Sequence, residues 1–337
     1  MKKAFILVTC VLGFLLTGNL GGQKEGSGPF FSIFPGGKYG FIDTAGNVVI
    51  KPQFDGAAKF FSEGLASVMV GNKWGYITTA GEMSIQPQFD EAWAFRDGLA
   101  PVRLGEKWGF INKKGTMRLE PKFEKVQIFS DGLAVFSEEG KYGYINTTGK
   151  IIIEPKYGWA WAFADGIAAV KLNGKWGYID KTGKFIIEPQ FEDVRCDQDR
   201  PEGPRCFSEG LALIMASGKW GYIDRTGNIV IKPQYDMADF FSEGLAVVMI
   251  EGKMGYIDKT GTAAIKPLFD EAGGFGNGLA PVQINGKWGY IDKQGKNAIG
   301  PQYNRAEGFY GGLALVLVDS KMAYIDTKGK IVWGPAE

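Results

Sequence analysis

The sequence predicts an all-β fold made as a tandem array of about nine 34-residue repeats, each based on a β-hairpin. Two observations carry this. Close copies of Lys175-Trp176-Gly177-Tyr178-Ile179-Asp180-Lys181-Thr182-Gly183-Lys184 recur along the chain, with the aromatic or Met position at Tyr39, Trp74, Trp108, Tyr142, Trp176, Trp220, Met254, Trp288 and Met322. The step between them is 34 residues, apart from one of 35 and one of 44. Between the copies, apolar side chains alternate with small or polar ones, and Gly and Pro stand at fixed places, as in short strands joined by tight turns. A sustained period overrides the two or three domains that 337 residues would otherwise suggest, so residues 30–337 are read as one repeat domain.

Within one repeat, Gly166 to Leu172 has the alternation of a half-buried strand. Asn173-Gly174 then takes positive φ readily and suits a hairpin turn, after which Lys175 to Asp180 forms the second strand. Asp180-Lys181-Thr182-Gly183, with Asp, Asn or Thr first and Gly fourth in every copy, is the pattern of a type I turn. A third short strand, Lys184 to Pro189, stops at its Pro or lies on an edge, because Pro cannot donate to a ladder. An aromatic residue two positions later and a linker of the form Phe241-Ser242-Glu243-Gly244 close the unit. Such a unit is too small to shelter its own rings, each worth about 2 kcal/mol when buried, so neighbours must stack.

The recurring Lys-Trp-Gly-Tyr-Ile-Asp and Phe-Ser-Glu-Gly-Leu-Ala segments resemble the WG-repeat family of bacterial proteins, over residues 30 to 335. The resemblance implies a tandem β-structure that binds other macromolecules and supplies no catalytic residues. Met254 and Met322-Ala323 depart from the Trp-Gly pattern, implying a weaker packing point and a modified C-terminal end. A 34-residue unit is short for a propeller blade of about 40 residues or more. Degenerate first and last copies also look like caps. An open, curved or superhelical stack is therefore expected, with a closed β-propeller-like ring as the alternative.

Met1-Lys2-Lys3, an apolar run from Ala4 to Leu16 and small residues after it read as a secretory signal peptide, residues 1–22, followed by a short linker, 23–29. The run is shorter than the roughly 20 residues of a membrane span, so none is expected after cleavage. An uncleaved N-terminal anchor is the alternative. The protein is expected in the bacterial periplasm or outside the cell. Export leaves Cys196 and Cys206, an even number in an oxidising compartment and the expected disulfide.

Charge excludes some functions. Lys+Arg 38 against Asp+Glu 37 leaves no basic face for nucleic acid. With His 0, a His-bearing triad or His-bound metal is excluded, and no catalytic, cofactor or metal residues are assigned. The repeated Lys before the aromatic and the acids at Glu63, Asp97, Asp131, Asp165, Glu209 and Glu243 read as paired structural positions. The turn Asp has the wrong spacing for a calcium loop.

What escapes the repeat is more telling. Trp93 and Trp161 stand in a linker column that also holds Gln127, Asp239, Gly273 and Glu307, and Trp159 stands in one holding Glu91, Lys125, Met237, Glu271 and Arg305. Exposed Trp in polar columns points to recognition of a protein or a sugar ring; filling a gap between repeats is the competing reading. Ten added residues between Val194 and Phe207 carry Arg195, Arg200 and Arg205 between and beside the cysteines, an insertion suited to a partner contact. The expectation is an exported, non-enzymatic scaffold that binds a protein through its linker face, or, as the alternative, cell-envelope or extracellular polysaccharide.

Overall fold

The computed structural model describes residues 29–197 and 203–334. The proposed signal peptide, all but the last residue of the linker after it, and Arg200 lie outside the described residues. Among the described residues the chain forms nine small antiparallel sheets. Blade 1 comprises Phe31–Ile33, Tyr39–Ile42 and Val48–Phe54. Blades 2 to 9 follow as contiguous segments, 56–89, 91–123, 125–157, 159–191, 193–235, 237–269, 271–303 and 305–333.

Blade 5 shows the pattern: Trp159–Ala160, Ile167–Leu172, Lys175–Asp180 and Phe185–Phe191, each strand paired with the next. The hairpin turn is as expected, with Asn173 at φ 50° and Gly174 at φ 81°. So is the Asp turn, where Thr182 N and Lys184 N donate to Asp180 Oδ1. The Pro-bearing strand, the fourth of the blade, continues through Pro189 to Phe191 and lies on the blade's outer edge, where a missing N–H costs nothing. The two-residue first strand was not legible in the sequence. It is too short for alternation to register, and it lets four strands fit into 34 residues.

The repeated glycine has a physical cause. The third and fourth strands slip register between Trp176 and Tyr178, and a Cβ on Gly177 would lie 2.6 Å from Ile187 O and 2.8 Å from Pro189 N. Only glycine lets the bulged outer strand pass this closely.

The core lies between blades. Leu133, Tyr144, Ile153 and Tyr157 of blade 4 share one cluster with Ala160, Phe163, Val170 and Ile179 of blade 5. The same arrangement joins blade 9 to blade 1, where Leu313 and Tyr324 pack with Phe31, Ile33 and Ile42. First and last sheets thus meet, and the nine form a propeller-like ring, the closed alternative of the two architectures. Met322-Ala323 marks this seam. At this crossing the glycine stands on the opposite segment: a Cβ on Gly334 would lie 2.7 Å from the Cβ of Ala323.

Candidate functional site

Blades 2 to 8 are locked to their neighbours by groups that would otherwise be free to bind. Tyr hydroxyls donate to the next linker: Tyr76 to Trp93 O, Tyr144 to Trp161 O and Tyr256 to Gly273 O, at 2.8 to 2.9 Å. The acids before Gly accept the next blade's backbone, as Asp97 does from Gly132 N and Asp131 from Gly166 N, both at 2.7 Å. Turn cations pair with several of the same acids: Lys113 with Glu63, Arg225 with Asp165, Lys259 with Glu209. The repeated charges therefore serve the joints. Asp224 is held down at about 2, chiefly by the Thr226 hydroxyl, and so stays ionised in its turn. Among the described residues no cluster of acids and cysteines suits a metal ion.

The tryptophans are different. Trp93 and Trp159 are each 37% exposed. Trp93 packs on the buried Trp108 of its own blade at 4.6 Å, and Trp159 packs on the buried Tyr142 of blade 4 at 4.9 Å. Trp161 lies 5.9 Å from Trp159 but is half-buried against the core between blades 5 and 6, with its Nε1 unpaired. Trp159 and Trp161 thus come together, while Trp93 forms a separate pair two blades away. Trp161 partly fills a gap, as the competing reading has it; the other two present ring area to solvent.

The insertion turns inward. Cys196 and Cys206 are bonded, and Asp197 and Arg205 exchange two backbone hydrogen bonds of 2.8 Å. Gly203 and Pro204 are buried, and Gly203 abuts the Arg96 guanidinium of blade 3, across the ring. Arg195 donates to Ala238 O at 2.8 Å and lies 3.5 Å from Asp239, while Arg205 stacks over Phe240 at 5.2 Å. Both arginines are spent on blade 7. Beside them a central hollow of about 300 Å³ is lined by Lys59, Phe60, Arg205, Phe240, Gly274 and Tyr310. Lys59 and Phe60 were missed in the sequence, although the linker from Phe54 to Phe61 is one residue longer than that from Phe89 to Phe95.

Nine meander sheets sharing their cores around a ring, with chemistry concentrated in the linkers, define a repeat protein of the β-propeller class. The chain belongs to the family with the WG containing repeat, whose profile matches residues 39–74, 74–108, 108–142, 142–176, 176–198, 220–253, 254–288 and 288–321. No curated protein matches it. Among solved structures it is similar to a eukaryotic initiation factor, with 11% identity, 92% of this chain and 96% of that chain covered, and a TM-score of 0.67, a likeness of fold. It is also similar to dihydro-heme d1 dehydrogenase NirN in complex with DHE, at 12% identity, 91% and 72% coverage and TM-score 0.46. Hsv2p of Kluyveromyces lactis matches at 9% identity, 70% and 92% coverage and TM-score 0.42. No helix among the described residues is long and apolar enough to cross a membrane.

Proposed function

We propose that the protein is an exported, non-catalytic scaffold that recognises a protein partner through the tryptophan-bearing linkers of blades 3 to 5. One observation carries the reading: Trp93 and Trp159 expose 37% of their surface yet are each held by a buried ring. A ring fixed before binding loses little entropy on contact, and such aromatic anchors dominate protein interfaces. The repeated acids before Gly, Glu63, Asp97, Asp131, Asp165, Glu209 and Glu243, are engaged between blades, which favours a structural role for them over acid–base work. The apolar N-terminal segment and the disulfide support export.

The test is capture of partners from the native envelope fraction by the full chain. The pair Trp93→Ala with Trp159→Ala should weaken capture by about 30-fold or more, from roughly 2 kcal/mol at a principal anchor. Each ring also covers a buried neighbour, so the pair should lower the melting temperature by several degrees, and capture is compared at a temperature where both proteins are fully folded; unaltered capture there would sink the proposal. The second reading, polysaccharide, draws on the same exposed ring faces, which can stack on sugars. Binding of peptidoglycan fragments that Trp159→Ala abolishes would favour it.

A further inference from the structure

We infer that the hollow between blades 2 and 3 is a seat for one aromatic side chain of the protein partner, an inference that rests on the protein-binding reading above. The repeat itself shows what fits. In blades 3 and 5 the residue after the inner strand is Trp93 or Trp161; Trp93 packs against its blade's own repeat tryptophan, Trp108, and Trp161 packs against the core cluster that holds Trp176. Trp108 and Trp176 are consequently only 8% and 5% exposed. Blade 2 has Ala58 in that place, with Gly56 where blade 3 has Glu91 and blade 5 has Trp159. Its own Trp74 is left half-buried.

At Gly56 the side chains of Met69 and Trp74 already stand within 3.3 Å of where a Cβ would be, but at Ala58 the missing ring leaves a hollow of about 450 Å³, lined by Trp74, Ala58 and Ser67 of blade 2 and by Glu91, Ala92 and Trp93 of blade 3. That size lies in the range of ligand pockets. Blade 8 has a small residue at the same point, Gly273, but there a Cβ would come within 2.8 Å of Pro281, whose ring takes the space. Blade 2 carries Ser67 in the position of Pro281, so nothing closes it.

The lining selects the occupant. Two indoles and two alanines suit a planar apolar ring. Glu91 is neutralised by Arg103, whose Nε and Nη2 donate to Oε1 at 3.0 and 2.7 Å. The acid still adds acceptor character, and with the Ser67 hydroxyl it favours an uncharged ring bearing an N–H or O–H over an anion. A Trp or Tyr of the partner meets these terms, standing over Trp74 as Trp93 stands over Trp108.

The experiment titrates the full chain with N-acetyl-L-tryptophanamide by calorimetry. The wild type should bind saturably. Ala58→Trp, which supplies the ring that blades 3 and 5 already carry, should weaken binding at least tenfold without lowering the melting temperature. If that variant folds poorly, Ala58→Leu should give the same loss. No saturable binding by the wild type, or binding by the filled variants within twofold of it, overturns the inference. Partner capture separates the two failures. Wild-type capture by Ala58→Trp, alongside lost capture by the Trp93→Ala, Trp159→Ala pair, overturns the seat alone. Undiminished capture by the pair overturns the reading beneath it.

Discussion

An interior joint and the seam bury similar rings by different means. Between blades 7 and 8 the linker is continuous: it supplies the inner strand Glu271–Ala272, receives the Tyr256 hydroxyl at Gly273 O, and places Gly278 N on Glu243. Between blades 9 and 1 no linker exists, and blade 1 has three strands among the described residues. Tyr324 donates instead to Ser32 O, on the strand of blade 1 itself, at 2.9 Å. Phe31 packs against Tyr324 and Tyr310, and Lys59 and Phe60 of blade 2 reach over blade 1 to Glu307 and Tyr310. The repeat is thus adapted to a joint in which the chain delivers the inner strand. Where it cannot, side chains from both flanking blades close the gap.

Three measurements test how different these joints are. The largest effect is alkaline. Burial raises the hydroxyl pKa of Tyr76, Tyr144, Tyr178, Tyr222, Tyr256, Tyr290 and the seam's Tyr324. A pKa raised in the fold contributes stability that is whole below the unfolded value of about 10 and is lost above it, because the unfolded chain gives up its protons first. The melting temperature should be flat from pH 7 to about 9 and fall steeply above about 10. Earlier hydrogen exchange in blades 1 and 9 would show the seam to be the weaker joint; simultaneous loss would show the joints equal.

Next, Gly177→Ala should cost about 3 kcal/mol in denaturant unfolding, because its Cβ would drive into Ile187 O. The reverse change at the seam, Ala323→Gly, should cost about 1 to 2 kcal/mol, through chain entropy and the loss of one buried methyl group. Equal costs would mean that the outer strand of blade 9 constrains the chain as the others do. The smallest effect is that of Lys59→Ala. Its side chain is 63% exposed, so the pair with Glu307 should contribute about 0.5 kcal/mol and vanish near 1 M salt.

The sequence made the hairpin, the Asp turn, the edge position of the Pro strand and the sharing of cores between neighbours readable, since each follows from local residue chemistry repeated nine times. Ring closure was not readable. It depends on the inner strand, two residues that carry no periodic signal, and on contacts such as Tyr324 with Ser32 that lie 292 residues apart. Of the candidate site, Trp93 and Trp159 could be picked out because they break polar columns. The hollow beside Trp93 could not, since it arises from what Ala58 and Ser67 lack, and an absence becomes visible only once the neighbouring blade stands beside it. Arg195 and Arg205 looked available because a sequence shows their charge but not the carbonyl of Ala238 or the ring of Phe240 that uses it.

Each blade from the second to the ninth is one continuous stretch of sequence, and among the described residues no strand is lent across the seam. A recombination event that drops or duplicates one 34-residue length would therefore remove or add a complete sheet and leave every remaining hydrogen-bonded ladder whole. The ladders would survive such a change, but each core is shared between neighbouring blades, so the cost would fall on the packing between blades.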